Sequence, residues 1–276
     1  MQLLVTFARR RVKATSGSSF TAVLVALAGL LIGLQIAYPV TDGLLRARIT
    51  VAVVVVFATL CVLDAAASRG PRRALTMLGV TAIPGLLVEM VGVGTGVPFG
   101  TYSYTGALGP RVLDVPLLVG LAWTMLAWPA ALVARRLTAN RAGRVLIGAW
   151  AMTAGDLFLD PQMVSAGMWR WRDPSPHLPG VPDVPLTNLA GWLLVTVVLS
   201  ALVQGVIGDG ADTLGIAMYV WLWVGWTVAL GVFLHLPAAA GWGALAMGSV
   251  AIPVLARVAE QRRVEQRREP VGMASW

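Results

Sequence analysis

Reactive and metal-binding side chains are nearly missing from this chain. Its 276 residues include one cysteine, Cys61, two histidines, His177 and His235, and a single lysine, Lys13. One cysteine excludes intramolecular disulfides and thiolate metal clusters, and Cys61 reads as a small buried hydrophobe. The histidines stand in or beside separate loops and give no di-iron or haem ligand set, which argues against an oxygen-using desaturase or hydroxylase. Lys13 lies outside every apolar run, so a retinal Schiff base is excluded. Gly92-Val-Gly94-Thr-Gly96 is not a dinucleotide fingerprint, because no strand precedes it and the spacing is wrong. No paired Asp-rich magnesium motif is present. The expectation is a protein with no metal and no cofactor.

Charge is scarce as well. Only 12% of residues are charged against 57% hydrophobic, with a mean hydropathy of +0.76; soluble domains carry roughly 25% charge. Apolar runs of membrane-spanning length recur at residues 20–40, 49–67, 74–93, 112–134, 143–163, 184–207, 214–236 and 239–257. The fold class is therefore an all-α polytopic membrane bundle of about eight helices. The chain reads as one integral-membrane domain over residues 1–276, with the chemistry in residues 74–207 and a basic tail over 257–276. The split between the last two helices rests on His235-Leu236-Pro237.

The net charge of +8 is a matter of topology. With the N-terminus inside, 16 of the 21 basic residues fall on the cytoplasmic side: Arg9, Arg10, Arg11, Lys13, Arg69, Arg72, Arg73, Arg135, Arg136, Arg141, Arg144, Arg257, Arg262, Arg263, Arg267 and Arg268. Only Arg46, Arg48, Arg111, Arg170 and Arg172 fall outside. This positive-inside bias places both termini in the cytoplasm of a cell-membrane, multi-pass protein and removes any need for nucleic acid as a partner. The polar gap at residues 15–19 and the lack of a small-residue cleavage site point to a retained first helix rather than an export signal. Arginine outnumbers lysine twenty to one, as in a GC-rich bacterium.

Against this background three acids stand out. Asp156 and Asp160 lie one helical turn apart within GRVLIGAWAMTAGDLFLDPQM, and Glu89 lies in another apolar segment. A carboxylate near mid-bilayer costs on the order of 3 kcal/mol, so each is a functional candidate by default. A purely structural hydrogen-bond network between helices is the competing reading; three acids at similar depth are too many for that.

Two long connections, residues 94–111 and 164–183, are rich in Gly, Pro and aromatics, and both fall outside. They resemble each other. Glu89 precedes Tyr102-Ser-Tyr104 by 13 positions and Asp156 precedes Trp169-Arg-Trp171 by 13. Asp114-Val-Pro-Leu117 and Asp183-Val-Pro-Leu186 each open a helix, and Trp123 and Trp192 each follow their Asp by nine. A duplicated helical hairpin explains these landmarks together, with spans three and four echoing five and six. Polar groups from four helices then converge on the outer half of the membrane, around a pocket opening outward or sideways into lipid.

Asp156 and Asp160 at i, i+4 share a helix face about 6 Å apart along the axis. A buried carboxyl group in its protonated form can donate a proton, while an ionised partner orients or deprotonates water. That division suits hydration of an unactivated alkene through a tertiary cation, which the aromatic faces of Trp123, Trp150, Tyr102, Trp169 and Trp171 could stabilise. Asn188 is placed to position water. Asp114 and Asp183 also have a plain reading as helix N-caps, Asp160 as a residue ending a helix before Pro161, and Asp64 as an interfacial ion pair with Arg69 and Arg72.

EMVGVGTGVPFGTYSYTGALGP (89–110), DVPLLVGLAW (114–123), GDLFLDPQMVSAGMWRW (155–171) and PLTNLAGW (185–192) resemble the integral-membrane carotenoid hydratases of the CruF type, over roughly residues 75–260. The resemblance implies cofactor-independent hydration of the terminal double bond of an acyclic carotenoid end, of the bisanhydrobacterioruberin, lycopene or gamma-carotene kind, giving a tertiary alcohol. It also implies a lipid-soluble carotenoid, water, membrane lipid and other carotenoid-pathway enzymes as partners. Glu89, Asp156, Asp160, Asn188, Pro98-Phe99-Gly100 and Tyr102 stand in the family-like motifs; no catalytic roles come with them. The leading expectation is an enzyme whose substrate enters laterally among spans three to six. Asp156 or Asp160 serves as proton donor, Glu89 or the other Asp activates water, and Asn188, Tyr102 and Tyr104 position it. The rivals are a membrane carotenoid cyclase, which excludes water, and a non-catalytic carotenoid-binding or transport protein that uses the acids as a relay or scaffold.

Overall fold

The structure is a computed structural model that describes residues 18–268. Arg9, Arg10, Arg11 and Lys13, and the last part of the basic tail, lie outside the described residues. Eight long helices follow in order: α1 Ser18–Ala37, α2 Gly43–Arg69, α3 Pro71–Thr95, α4 Leu118–Leu137, α5 Arg141–Ser165, α6 Leu186–Val206, α7 Thr213–Val228 and α8 Pro237–Arg268. Seven of the eight segments are long and apolar enough to cross a membrane, so this is an all-α, multi-pass helix bundle. The exception is α5, whose hydropathy is diluted by Asp156, Asp160 and Gln162. It packs against α4, α6 and α8, and Asp156, Asp160 and Gln162 are all buried.

Local signals set the helix ends. Gly70, at φ 91°, closes α2 with its N–H on Ala66 O and hands over directly to Pro71, the residue best suited to begin a helix. Gly96 ends α3 in the left-handed conformation. Asn140 caps α5, its side chain accepting from Gly143 N at 3.0 Å. The last split falls at the expected place: α7 ends in a π-helical turn, Ala229–Phe233, and α8 begins at Pro237.

Three expected boundaries differ by six residues or more, the first being the start of α2 at Gly43 rather than at residue 49. The fourth helix begins at Leu118, because β2 Arg111–Val112 and β3 Val115–Pro116 first form a small hairpin. Its turn is Leu113-Asp114, at φ 49° and 62°, the paired left-handed conformation that a two-residue hairpin turn requires. The eighth helix continues to Arg268, so the described part of the basic tail is helical.

Helix α4 forms the axis of the bundle. It packs against α2, α3, α5, α6, α7 and α8, and 78% of its most apolar stretch is buried. The echo between hairpins α3–α4 and α5–α6 has a physical counterpart. The Thr81 and Thr124 hydroxyls are 2.8 Å apart across the first hairpin, and those of Thr153 and Thr196 are 3.0 Å apart across the second, each bond spanning 43 residues. Trp123 and Trp192 stack on each other, with ring centroids 4.2 Å apart.

One end of the bundle is arginine-rich and tied together by the loop between α6 and α7. Arg135 pairs with Asp209 at 2.5 Å and Arg136 with Asp212 at 3.5 Å, and Arg69 donates to Ala211 O at 2.7 Å. Asp64 is fully buried there, accepting from Trp128 Nε1 at 3.0 Å, rather than at an exposed interface. The opposite end is built from the aromatic loops.

Candidate active site

Two loops close the aromatic end over α3 and α5. Strand β1, Tyr102–Tyr104, pairs antiparallel with β4, Trp169–Trp171, so that Tyr102 faces Trp171 and Tyr104 faces Trp169. Alternation along a strand sends side chains to opposite faces. Ser103 and Arg170 are exposed, while the four aromatic residues turn into the bundle. Arg172 N donating to Thr101 O at 2.8 Å and Thr105 N to Met168 O at 2.9 Å extend the ladder at both ends. The aromatic-x-aromatic triplets, which look in sequence like copies of one another, are therefore partners in one two-stranded sheet.

Glu89 sits beneath this sheet, on the last turns of α3, and is only 6% exposed. Both phenols donate to its Oε2, Tyr102 at 2.5 Å and Tyr104 at 2.8 Å. Burial first, and then the Glu89 charge, hold both phenols above the ordinary tyrosine pKa, so they remain donors across the physiological range. Gly92 lets this happen: a Cβ there would lie 2.9 Å from the Tyr102 hydroxyl and 3.0 Å from the Phe99 ring.

From the other hairpin, Trp169 Nε1 donates to Asp160 Oδ1 at 3.1 Å. The Asn188 side-chain amide, near the start of α6, donates to Asp156 Oδ2 at 3.1 Å and also to Asp160 Oδ2. One amide NH₂ thus ties the two aspartates together, as their one-turn spacing on α5 allows. Asp156, Asp160 and Asn188 are 2%, 4% and 3% exposed.

These groups close one end of an apolar cavity of about 440 Å³. Glu89, Asp160, Asn188, Tyr102, Tyr104, Trp123, Trp169 and Trp171 all line it, together with Trp192, Phe99 and Gln162. Asp156 does not. It lies behind Asn188, beside a much smaller void of about 20 Å³ bounded by Leu178, Val181 and Trp242. A carboxyl pair one helical turn apart is thereby split into a member that lines the cavity and a member that does not.

Three further expected positions are not brought to the cavity. Trp150 is 37% exposed and donates to Ser249 Oγ on α8 at 3.0 Å, because it projects from a different face of α5. Asp114 is exposed in the turn of the β2–β3 hairpin, and Asp183 is exposed before α6. Neither caps a helix: the residues preceding α4 and α6 are Leu117 and Pro185. The cavity also reaches beyond spans three to six, to Phe57 on α2, Gln35 on α1 and Trp221, Gly225 and Trp226 on α7. Gln162 was detectable as a polar residue on the same apolar helix as the aspartates. Gln35, Trp221 and Trp226 carry no local signal, since helices rich in apolar and aromatic residues look alike whether they face lipid or a cavity.

Among the described residues no group of three or more His, Cys, Asp or Glu side chains is arranged to hold a metal ion. What the geometry offers is acid–base chemistry: a carboxyl on each of two facing helices, across an aromatic-walled space suited to an apolar substrate.

Residues 49–215 match the family described as carotenoid biosynthesis proteins. Over 128 residues the chain is 36% identical to bisanhydrobacterioruberin hydratase of Haloarcula japonica, an alignment that covers 45% of this chain and 42% of that protein. The chain thus matches less than half the length of this relative. No solved structure matches the chain.

Proposed function

Because this chain belongs to the carotenoid biosynthesis protein family, with the CruF-type hydratases as its kin, we propose that it is a hydro-lyase working in the hydration direction, adding water across the terminal double bond of an acyclic carotenoid end. The observation that carries this reading is the placement of Glu89 and Asp160 on one apolar, aromatic-walled cavity.

In this reading Asp160 is the proton donor. Its proton passes to the CH carbon of the terminal (CH₃)₂C=CH group, leaving a tertiary cation at the carbon that bears the two methyls. The faces of Trp169, Tyr104 and Trp123 stabilise that cation. Water then forms the new C–O bond and gives its extra proton to Glu89, which Tyr102 and Tyr104 hold in place through their two hydrogen bonds. One water is consumed, no electrons are exchanged, and the proton returns from Glu89 to Asp160 through solvent or product exchange before the next turnover. Asp156, set behind Asn188, is a positioning residue for Asp160 rather than a group that touches the alkene.

Expression in membranes that accumulate lycopene, and separately in membranes that accumulate bisanhydrobacterioruberin, tests the proposal by product mass. A product heavier by one water supports hydration. A new pigment of unchanged mass would overturn it in favour of cyclisation, and unaltered pigment would favour a binding or transport role.

A further inference from the structure

The cavity has a blind end and a mouth, and the two belong to different helices. Glu89, Asp160, Asn188 and Trp123 at the blind end are all buried. Among the described residues that line the cavity, the exposed ones are Ile36 (59%), Val40 (68%), Val224 (47%), Val228 (46%) and Phe233 (48%). Every one of them is apolar. All lie on the last turn of α1 with its following 3-10 turn, or on the second half of α7 with its π turn. The lining residues from α3, α4, α5 and α6 are buried or half-buried.

Helix α1 is loosely held on this side. It packs along α2, while only 11% of its apolar stretch is buried. It meets the α7 segment through the 3-10 turn against the π turn and through Trp221 Nε1, which donates to Gln35 Oε1 at 2.6 Å. That bond satisfies the Trp221 indole N–H and the Gln35 side-chain oxygen within the wall between α1 and α7.

This inference rests on the site acting on the end of a polyene. We propose that the gap between α1 and α7 is a lateral mouth through which a linear polyene reaches the acids from the lipid side, the unreacted length of its chain lying on Ile36, Val40, Val224, Val228 and Phe233. A rim facing bulk water or lipid headgroups would expose charge or hydroxyl groups; the five exposed side chains here carry neither, and the Tyr38 hydroxyl in the same 3-10 turn is buried. The size agrees: 440 Å³ is toward the lower end of the roughly 300–1,000 Å³ that encloses a compact ligand, so an end group fits inside and a long chain must leave by the mouth. It follows that the protein handles one chain end at a time and that access does not run among α3 to α6.

Blocking the mouth after folding tests this. Val228→Cys and, as control, Leu194→Cys on the exposed face of α6 are purified in detergent and treated with a bulky maleimide; the fully buried Cys61 is protected in both. Each protein is then loaded with lycopene, and bound pigment per protein is read by visible absorbance. Labelled Val228→Cys is expected to retain about tenfold less lycopene than its unlabelled form, whereas labelled Leu194→Cys retains as much as wild type. Equal retention by labelled and unlabelled Val228→Cys would overturn the mouth, whatever the enzyme does. Mouth-dependent retention in a protein that hydrates nothing would uphold the mouth and overturn the hydratase reading alone.

Discussion

The Tyr102 hydroxyl lies 2.5 Å from Glu89 Oε2, although Glu89 belongs to the end of α3 and Tyr102 to a strand pinned on the other hairpin. The bond joins an acid to the sheet that roofs it. Tyr104 makes a second bond to the same oxygen at 2.8 Å, so losing either phenol leaves Glu89 a partner, whereas losing the carboxylate leaves two buried hydroxyls facing an amide. Glu89→Gln is expected to lower hydrated product by about 10²-fold or more, in the range for removing a general base, and Tyr102→Phe by about tenfold. Product quantified by mass in matched membranes checks the order; equal activity of wild type and Glu89→Gln would sink the base assignment.

The two aspartates should behave differently. Asp160 lines the cavity and Asp156 lies behind Asn188. Asp160→Asn is expected to abolish hydration, a loss of about 10²–10⁴-fold. Asp156→Asn should leave lycopene retention intact and slow turnover by about tenfold, because it disturbs only the amide that holds Asp160. If Asp156→Asn proves the more damaging of the two, the donor has been assigned to the wrong carboxyl.

Gly191 on α6 carries the loop that precedes Tyr102. A Cβ at this position would lie 2.7 Å from the Pro98 carbonyl oxygen and 2.8 Å from Phe99. Gly191→Ala must push that backbone outward, at a cost of about 1–3 kcal/mol, and should reduce activity through the roof. The comparison is Gly29→Ala on α1, where nothing stands within 4 Å and no effect is expected. Thermal unfolding in detergent and product yield, read together, check both.

At the arginine end, Trp128→Phe removes the indole N–H that reaches buried Asp64 at 3.0 Å and alters the surface beneath Arg69, whose guanidinium lies 4.8 Å from the Trp128 ring centroid. Leaving a buried carboxyl short of a donor costs about 1–3 kcal/mol. A lower unfolding temperature with an unchanged product profile is expected, since this cluster is remote from the cavity. A changed product profile at unchanged stability would show that the arginine end reaches into the chemistry.

Helix number and type were legible from hydropathy alone, because apolar runs of spanning length have no other stable outcome in a bilayer. Even α5, the segment with least hydropathy, was legible as a helix, and its acids marked it as different. The reach of the duplication was less so. Counting from the aromatic triplets equates Glu89 with Asp156. The two Thr–Thr bonds instead set Thr81 against Thr153, 72 positions on, which puts Glu89 within one residue of Asp160. The two registers differ because the triplets pair with each other across the sheet, whereas the threonines lie within the helices.

The sequence by itself determined the membrane class, the two chemically distinct ends and the candidate acids, since each follows from composition and from the cost of burying charge. Only the tertiary structure decided which acids share a space. It turned Asp160 toward the cavity and Asp156 away from it, moved Trp150 to the α8 side, left Asp114 and Asp183 at the surface, and brought α1 and α7 in as the far wall. The reason is rotational: a helix places neighbouring residues about 100° apart, and which face meets which neighbour is fixed by packing rather than by position along the chain.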